Sequence, residues 1–367
     1  MSDPINPSGP PAEITHLVRQ RTEARARRDW ANADALKVEI EAAGWKVTDH
    51  GGRTSVSRTA PSSIEMDGHV RYGSAAAVPS RLEEPPEVPW TVIVLASEAP
   101  ERVSRLLAGL RTHAPGATQV VVVANDPSEP QQAALAAGAP DRAAIGGREV
   151  EVLRTATRLG HAAALNIALR RTAGELVLVA DGTAWPTGDA LTPPAEALTD
   201  PDVAVVGAVG VTSAEPGPLR SSALEPSEAR EVGAVLAGWM AFRRADYVAL
   251  GPLDERFVTP AWLDVWWSLR LRAGEDPDWT DAGAAETGPG EGDAGAAEAP
   301  MAEPEAVERP AAGAGTAAFE VPAPRRAIRL DLPVEHDEIA WPPDRSRLGR
   351  RNMYRVLDRW GWREDLV

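Results

Sequence analysis

Asp181-Gly182-Thr183 follows directly on Leu176–Ala180, a short unbroken Leu/Val run of strand length. Such a run, bounded by turn formers, suits a strand buried on both faces of a parallel sheet. Asp181 would then leave the C-terminal edge of that strand, where open α/β sheets bind ligands. The structural alternative for Asp181 is an ordinary turn former at a strand end. Just upstream, Arg158–Ala173 reads RLGHAAALNIALRRTA, a glycine turn and then an Ala/Leu-rich helix that packs back on the sheet. Gly160 reads as a backbone turn. Asn166 either faces a ligand or satisfies helix packing.

The elements that must position these residues follow from periodicity. Trp90 opens the main domain. Strands are expected at Thr91–Leu95, Gln119–Val123, Glu149–Leu153, Leu176–Ala180 and Val203–Val211. Helices are expected at Pro100–Thr112, with Val103, Leu106, Leu107 and Leu110 on one face, and at Asp189–Thr199. Strands alternating with helices of this length imply right-handed crossovers and a mostly parallel sheet.

This helix–strand–acid unit resembles the donor-binding half of family 2 glycosyltransferases, which pair an N-x-G-x-A-x-A-x-N-x-G helix with an apolar strand and D-x-D. Gly160, Ala162, Ala164, Asn166 and Asp181 fit, and Thr183 stands at the second acid. Downstream, Gly238, Arg243, Arg244, Tyr247, Gly251, Asp254, Glu255 and Phe257 match the acceptor half, with Pro252 at its second glycine. In the E-D-x-D motif that follows, Asp264, Arg270, Arg272 and Gly274 match, while Leu263 and Trp266 replace acids.

The resemblance implies an α/β fold with a mostly parallel, Rossmann-like sheet of the A-type glycosyltransferase kind. It implies an inverting hexosyl transfer from a nucleotide-sugar donor to a glycan or lipid-linked acceptor. Asp264 takes the place of the general base, its structural alternative being a capping aspartate. Asn125, Asp126, Gly160, Asn166 and Asp181 fall on the nucleotide-sugar side, with Ala124 in place of the leading Asp. Gly238, Trp239, Asp254 and Glu255 fall on the acceptor side. Asp181, Thr183 and His336 are the candidate ligands for Mg2+ or Mn2+, and Arg243 and Arg244 are either diphosphate contacts or solvated charges. Departures at Ala124, Thr183, Leu263 and Trp266 define the rival reading. It is a catalytically degenerate, glycosyltransferase-like scaffold binding partners through its hairpin, Trp-rich face and basic tail.

Ahead of this domain, residues 13–58 read as a helical hairpin with short strands. Ile14, Leu17 and Val18 start one apolar stripe, and Asp29 caps a second helix carrying Trp30, Ala33, Leu36, Val38 and Ile40 as its apolar positions. Arg21, Ala24, Arg25, Asp29, Ala31, Ala33, Asp34, Gly44 and Asp49 give this segment a likeness to the C-terminal tail of cysteinyl-tRNA synthetases. The catalytic body of those enzymes is not represented, so a packing or protein-interaction module is expected from residues 13–58, the alternative being an RNA contact. The basic run Arg25–Arg28 reads as a solvated helix face.

Residues 1–12 and 273–324 are expected to be disordered, the first from its Pro/Ser/Gly content and the second as an Ala/Gly/Glu/Pro insertion. Residues 59–89 are expected as a linker, 90–272 as the main domain, and 325–367 as its end, closing in a basic helix. Residues 273–324 hold twelve acids and one base, Arg309, and so carry −11 of the net charge of −16. The body is thus only mildly acidic, and its bulk charge does not point to nucleic acid. The chain has no cysteine, which excludes thiolate chemistry and disulfides. No apolar run nears the roughly 20 residues of a membrane span. The opening residues lack a signal-peptide pattern, so a cytoplasmic protein is expected, with the inner membrane face as a further place of work. No P-loop, nucleophile elbow or HExxH motif occurs.

Overall fold

The computed structural model describes residues 12–42, 45–50, 53–58, 63–66, 68–97, 99–137, 144–213, 224–274, 323–337, 346–361, 363 and 366. The expectations for residues 1–11 and for the acidic segment 275–322 lie outside the described residues. The chain divides into two compact units, meeting in sequence between Ser62 and Ser63.

The first unit is a helix pair, α1 (Ala12–Ala26) and α2 (Trp30–Ala42), followed by an antiparallel pair, β1 (Trp45–His50) and β2 (Arg53–Arg58). Ile14, Ile40, Trp45 and Val47 form its buried core, with Leu17, Val18 and Val56 against it. Asp29 accepts from the Asn32 backbone N–H at 3.3 Å and caps α2 as expected. Buried Arg21 grips Asp49 with two nitrogens, at 3.1 and 2.7 Å, and Arg25 reaches the same carboxylate at 3.2 Å. The hydrogen bond from Arg21 holds Asp49 down at about 2. A depressed carboxylate adds stability above its unfolded value, lost as pH falls through the folded value. Asp49→Asn is therefore expected to lower amide-exchange protection at Ile40 and Val47 by about tenfold at pH 7. The difference should vanish as pH falls through about 2. Equal protection at pH 7 would show the pair to be idle.

The second unit carries the main sheet. Its early elements are β3 (Ile64–Met66), β4 (His69–Tyr72), β5 (Val88–Ala96), α3 (Pro100–His113), β6 (Thr118–Ala124), α4 (Glu129–Ala137), β7 (Glu151–Thr155), α5 (His161–Leu169), β8 (Gly174–Ala180) and β9 (Ala184–Pro186). There follow α6 (Thr192–Ala197), β10 (Val203–Gly207), β11 (Gly210–Ser213), β12 (Leu224–Ser227), β13 (Glu231–Val232), β14 (Ala234–Val235), β15 (Met240–Arg243), α7 (Arg244–Leu250), α8 (Leu263–Ala273), β16 (Arg326–Arg329), β17 (Val334–His336) and α9 (Arg347–Trp360). Among the described residues the largest sheet has ten strands, ordered β13-β16-β10-β15-β8-β5-β6-β7-β4-β3.

Its centre, β8-β5-β6-β7, is parallel throughout. Val92, Ile93, Val94, Val120, Val121, Val122, Val177 and Leu178 are essentially inaccessible to solvent. That burial on both faces is why these strands read as continuous apolar runs rather than alternating ones. The four apolar positions expected on α3 are all buried in the same core. The fold is therefore mixed α/β, with a large, mostly parallel sheet and a separate N-terminal helix pair.

Three expectations are corrected. Residues 63–89 belong to the second unit and supply β3 and β4, with β4 running parallel to β7, so this stretch is more than a linker. Val203–Val211 is not one strand. It breaks after Gly207, where a Cβ would sit 2.2 Å from a Val235 methyl, and β11 enters a separate three-stranded sheet, β12-β11-β14. The helix expected from Asp189 starts at Thr192, because the Asp189 carboxylate accepts from the Leu191 and Thr192 N–H groups and caps it from outside.

Candidate active site

β8 delivers Asp181 to the C-terminal edge of the parallel centre, and Gly182 turns the chain there with φ +83°. Asp181 Oδ1 accepts from both the backbone N–H of Thr183, at 2.8 Å, and its hydroxyl. Thr183 therefore shapes the turn, and Asp181 Oδ2 has no protein partner among the described residues. Burial raises the Asp181 pKa above the usual value, opposed by the Thr183 bonds and the positive charge of Arg102.

Asp264 stands in the first turn of α8, after Trp262 in the left-handed region at φ 69°. Its Oδ1 accepts from the Val265 N–H at 2.9 Å and its Oδ2 from the Ala237 N–H at 3.2 Å. Ala237 opens the 3-10 turn Ala237–Trp239. Gly238 in that turn lies against Thr183, so close that an added Cβ would stand 3.5 Å from the Thr183 hydroxyl. One short turn thus joins the two acids, touching Asp264 through Ala237 and the Asp181 turn through Gly238. Burial pushes Asp264 up to about 6, and the nearby Asp181 charge pushes the same way. Its side chain keeps some exposed surface but lies deep among crowded neighbours. A mainly apolar cavity of about 30 Å³ adjoins it, lined by His161, Leu165, Val179, Met240 and Trp267 among others. His161, on the same wall, is pushed down to about 4 by burial and is neutral at pH 7.

The late strand β17 pairs antiparallel with β9 and sets His336 opposite Ala184. The next residue, Asp337, donates its N–H to Thr183 O at 2.8 Å. Sequence reasoning singled out His336 but missed Asp337, which the ladder brings to the turn. It also missed Arg102, since nothing in an exposed helix position marks it. Among the described residues no three of His, Cys, Asp and Glu gather closely enough to hold a metal ion. A divalent cation fits only in part, since Asp181 offers one unpartnered carboxylate oxygen and Thr183 a neutral hydroxyl.

Several expected site residues hold the scaffold instead. Buried Asn125 exchanges two hydrogen bonds with the Leu159 backbone, at 3.0 and 2.9 Å. Asp126 is exposed at φ 48° and donates its N–H to Thr155 Oγ1. Gly160 precedes α5 where a Cβ would stand 3.1 Å from Val258 Cα, and the first N–H groups of that helix donate to Val258 and Phe257 carbonyls. Asn166 is buried and fully engaged: Nδ2 donates to Leu253 O and Glu255 Oε1, while Oδ1 accepts from Leu253 N–H and the Tyr247 hydroxyl.

On the acceptor side, Gly238 lies at the centre and Glu255 is exposed beside Asn166. Trp239 is corrected: it is 1% exposed, and its indole donates to Ala190 O inside the core, so it cannot meet an acceptor. Asp254 is corrected likewise, being buried and closed on Arg256 at 2.8 Å. Arg243 and Arg244 are neither diphosphate contacts nor solvated charges. Arg243 donates to the carbonyls of Leu198, Asp200 and Val203, and Arg244 to those of Arg81 and Glu84. Trp266 and Trp267, in the altered acid motif, are buried against Phe257, Phe242 and Tyr247.

The parallel α/β centre thus places one acid at a strand edge and a second at a helix head. Residues 91–246 match the family model described as Glycosyl transferase family 2. Residues 8–56 match the model described as Cysteinyl-tRNA ligase anticodon binding domain. A cysteine–tRNA ligase from Opitutus terrae is 51% identical over 39 residues, which is 11% of this chain and 8% of that protein. Among solved structures, the chain is similar to the mannosyltransferase PcManGT from Pyrobaculum calidifontis in complex with GDP-Man and Mn2+, at 22% identity and a TM-score of 0.41, covering 54% of this chain and 55% of that one. It is also similar to GalNAc-T7 with UDP, GalNAc and Mn2+, at 12% identity and a TM-score of 0.41, covering 51% and 40%. For S. aureus TarS the values are 18%, 0.38, 51% and 34%. The chain thus spans about half or less of these proteins. No helix among the described residues is long and apolar enough to cross a membrane.

Proposed function

We propose that the second unit transfers a sugar, a hexose in the simplest case, from a nucleotide-sugar donor to a hydroxyl of a glycan or lipid-linked acceptor, with inversion. The observation that carries this is the joining of Asp181 and Asp264 through the Ala237–Gly238 turn. Asp264 takes the proton of the acceptor hydroxyl as its oxygen bonds to the anomeric carbon. The bond from that carbon to the diphosphate breaks, and its electron pair leaves with the diphosphate. A carboxyl pushed up to about 6 is ionised at pH 7 yet basic enough to accept a proton in the transition state. Asp181 sits on the donor side. A Mg2+ or Mn2+ ion bound there with the donor would neutralise part of the diphosphate charge.

One observation favours the rival scaffold reading: both Asp264 oxygens already accept backbone N–H groups, as a capping carboxylate does. In that reading residues 13–58 supply a protein contact. Thermal shift separates the two. UDP-, GDP- and dTDP-sugars are each added at millimolar level with Mg2+ or Mn2+, and at least one is expected to raise the Tm by binding the native state. No rise with any of them would leave the scaffold as the better account.

A further inference from the structure

The Asp181–Thr183 turn offers one acid where a diphosphate-binding metal would ordinarily be met by two, so positive charge close to it bears on how a donor is held. α3 brings such charge. At Gly182 an added Cβ would stand 3.6 Å from Arg102 Cβ, so Arg102 springs from the helix directly against the turn. One helical turn later, Arg105 places its guanidinium 4.1 Å from the ring centre of Trp185, in the strand that leaves the turn. Both side chains are close to half exposed, at 48% and 45%. Both converge on a single carboxylate, Asp337, at 2.9 Å from Arg102 and 3.9 Å from Arg105. Asp337 is itself fixed over the turn by its N–H bond to Thr183 O. Two cations therefore share one anion on an accessible surface beside Asp181.

We propose that Arg102 and Arg105 bind the diphosphate of the nucleotide sugar, which displaces the Asp337 carboxylate from them. The proposal rests on the glycosyl-transfer reading and deepens it. Guanidinium groups present planar forks that match phosphate oxygens in pairs. A diphosphate brings more negative charge and more acceptor oxygens than one carboxylate, and the pair it replaces is exposed and weak in water. Stacking on Trp185 holds Arg105 in orientation before the donor arrives. As the bond to the sugar breaks, negative charge grows on the leaving diphosphate, and both arginines stabilise it in place. Asp337 holds them apart from other anions until then.

Calorimetric titration of the full chain with UDP, GDP and dTDP tests this, run once in Mg2+ and once in EDTA. For whichever diphosphate binds, Arg102→Gln is expected to weaken binding by about tenfold or more in both buffers, since two charged hydrogen bonds are lost. Binding of the matching nucleoside, which has no phosphate, should be unchanged. Arg102→Lys should recover part of the loss, and Asp337→Asn should tighten the diphosphate by removing its competitor. An unaltered Tm for each variant shows that the fold is kept. Equal weakening of nucleoside and diphosphate by R102Q would make Arg102 merely structural, and no weakening at all would overturn the proposal while leaving glycosyl transfer standing. Weaker binding in D337N would overturn the displacement. If the unaltered chain binds no nucleoside diphosphate at millimolar level, the donor reading itself falls and this one with it.

Discussion

Asp264→Asn is expected to lower the rate of sugar transfer by about 10²–10⁴, because it removes the proton acceptor, and to lower the Tm modestly, because the amide leaves the N–H of Val265 or Ala237 without its acceptor. The pH dependence should carry the same signature. The base works only when ionised, and Asp264 is pushed up to about 6. Transfer should therefore rise with pH, reach half its plateau near that value, and lose that inflection in D264N. Stability runs the other way. Folding raises this carboxyl from its ordinary 3.8, so the native state gains from the proton. That gain is complete below the unfolded value and is lost as pH rises through the folded one. Between about 4 and 6, the wild type should lose stability relative to D264N just as activity appears. Full activity in D264N would reduce Asp264 to a helix cap.

Asn166→Ala is expected to act on the fold rather than on the donor. The side chain meets the Leu253 carbonyl, the Leu253 N–H and the Tyr247 hydroxyl in buried surroundings. Removing it leaves three buried polar groups unsatisfied, each costing about 1–3 kcal/mol. A loss of a few kcal/mol should lower the Tm by roughly 5–10 °C. The segment it pins, Leu253 to Glu255, runs on to Phe257 and Val258, whose carbonyls receive the first N–H groups of α5. Activity should fall only as far as folding does. An unchanged Tm with a large loss of nucleotide affinity would return Asn166 to the donor pocket.

The centre of the sheet was legible because its strands are buried on both faces, and so their apolar runs are unbroken in sequence. Asp181 was legible for a related reason, since it ends such a strand, whereas Asp264 was singled out through its match to the E-D-x-D motif of the resemblance. The uses of Asn125, Asn166, Arg243 and Arg244 were not legible. Most of their partners are main-chain carbonyls and N–H groups, which every residue carries and no pattern marks. Trp239 misled because the resemblance put it on the acceptor side, where nothing in the sequence marks it as a core residue. Its 1% exposure and its bond to Ala190 O show that it is one. The break after Gly207 and the strands β3 and β4 were hidden as well, since both depend on what packs against them from distant parts of the chain.

The pairing of β17 with β9 has a consequence for biogenesis. The Asp181 turn leaves the ribosome well before Asp337 has been translated, yet Thr183 O receives the Asp337 N–H and Asp337 faces Arg102 and Arg105. A nascent chain can close the sheet centre early, but the surface beside the Asp181 turn takes final form only when this last ribbon docks. Until that moment both arginines stand uncovered, and a growing polypeptide would meet cellular anions with its guard still missing.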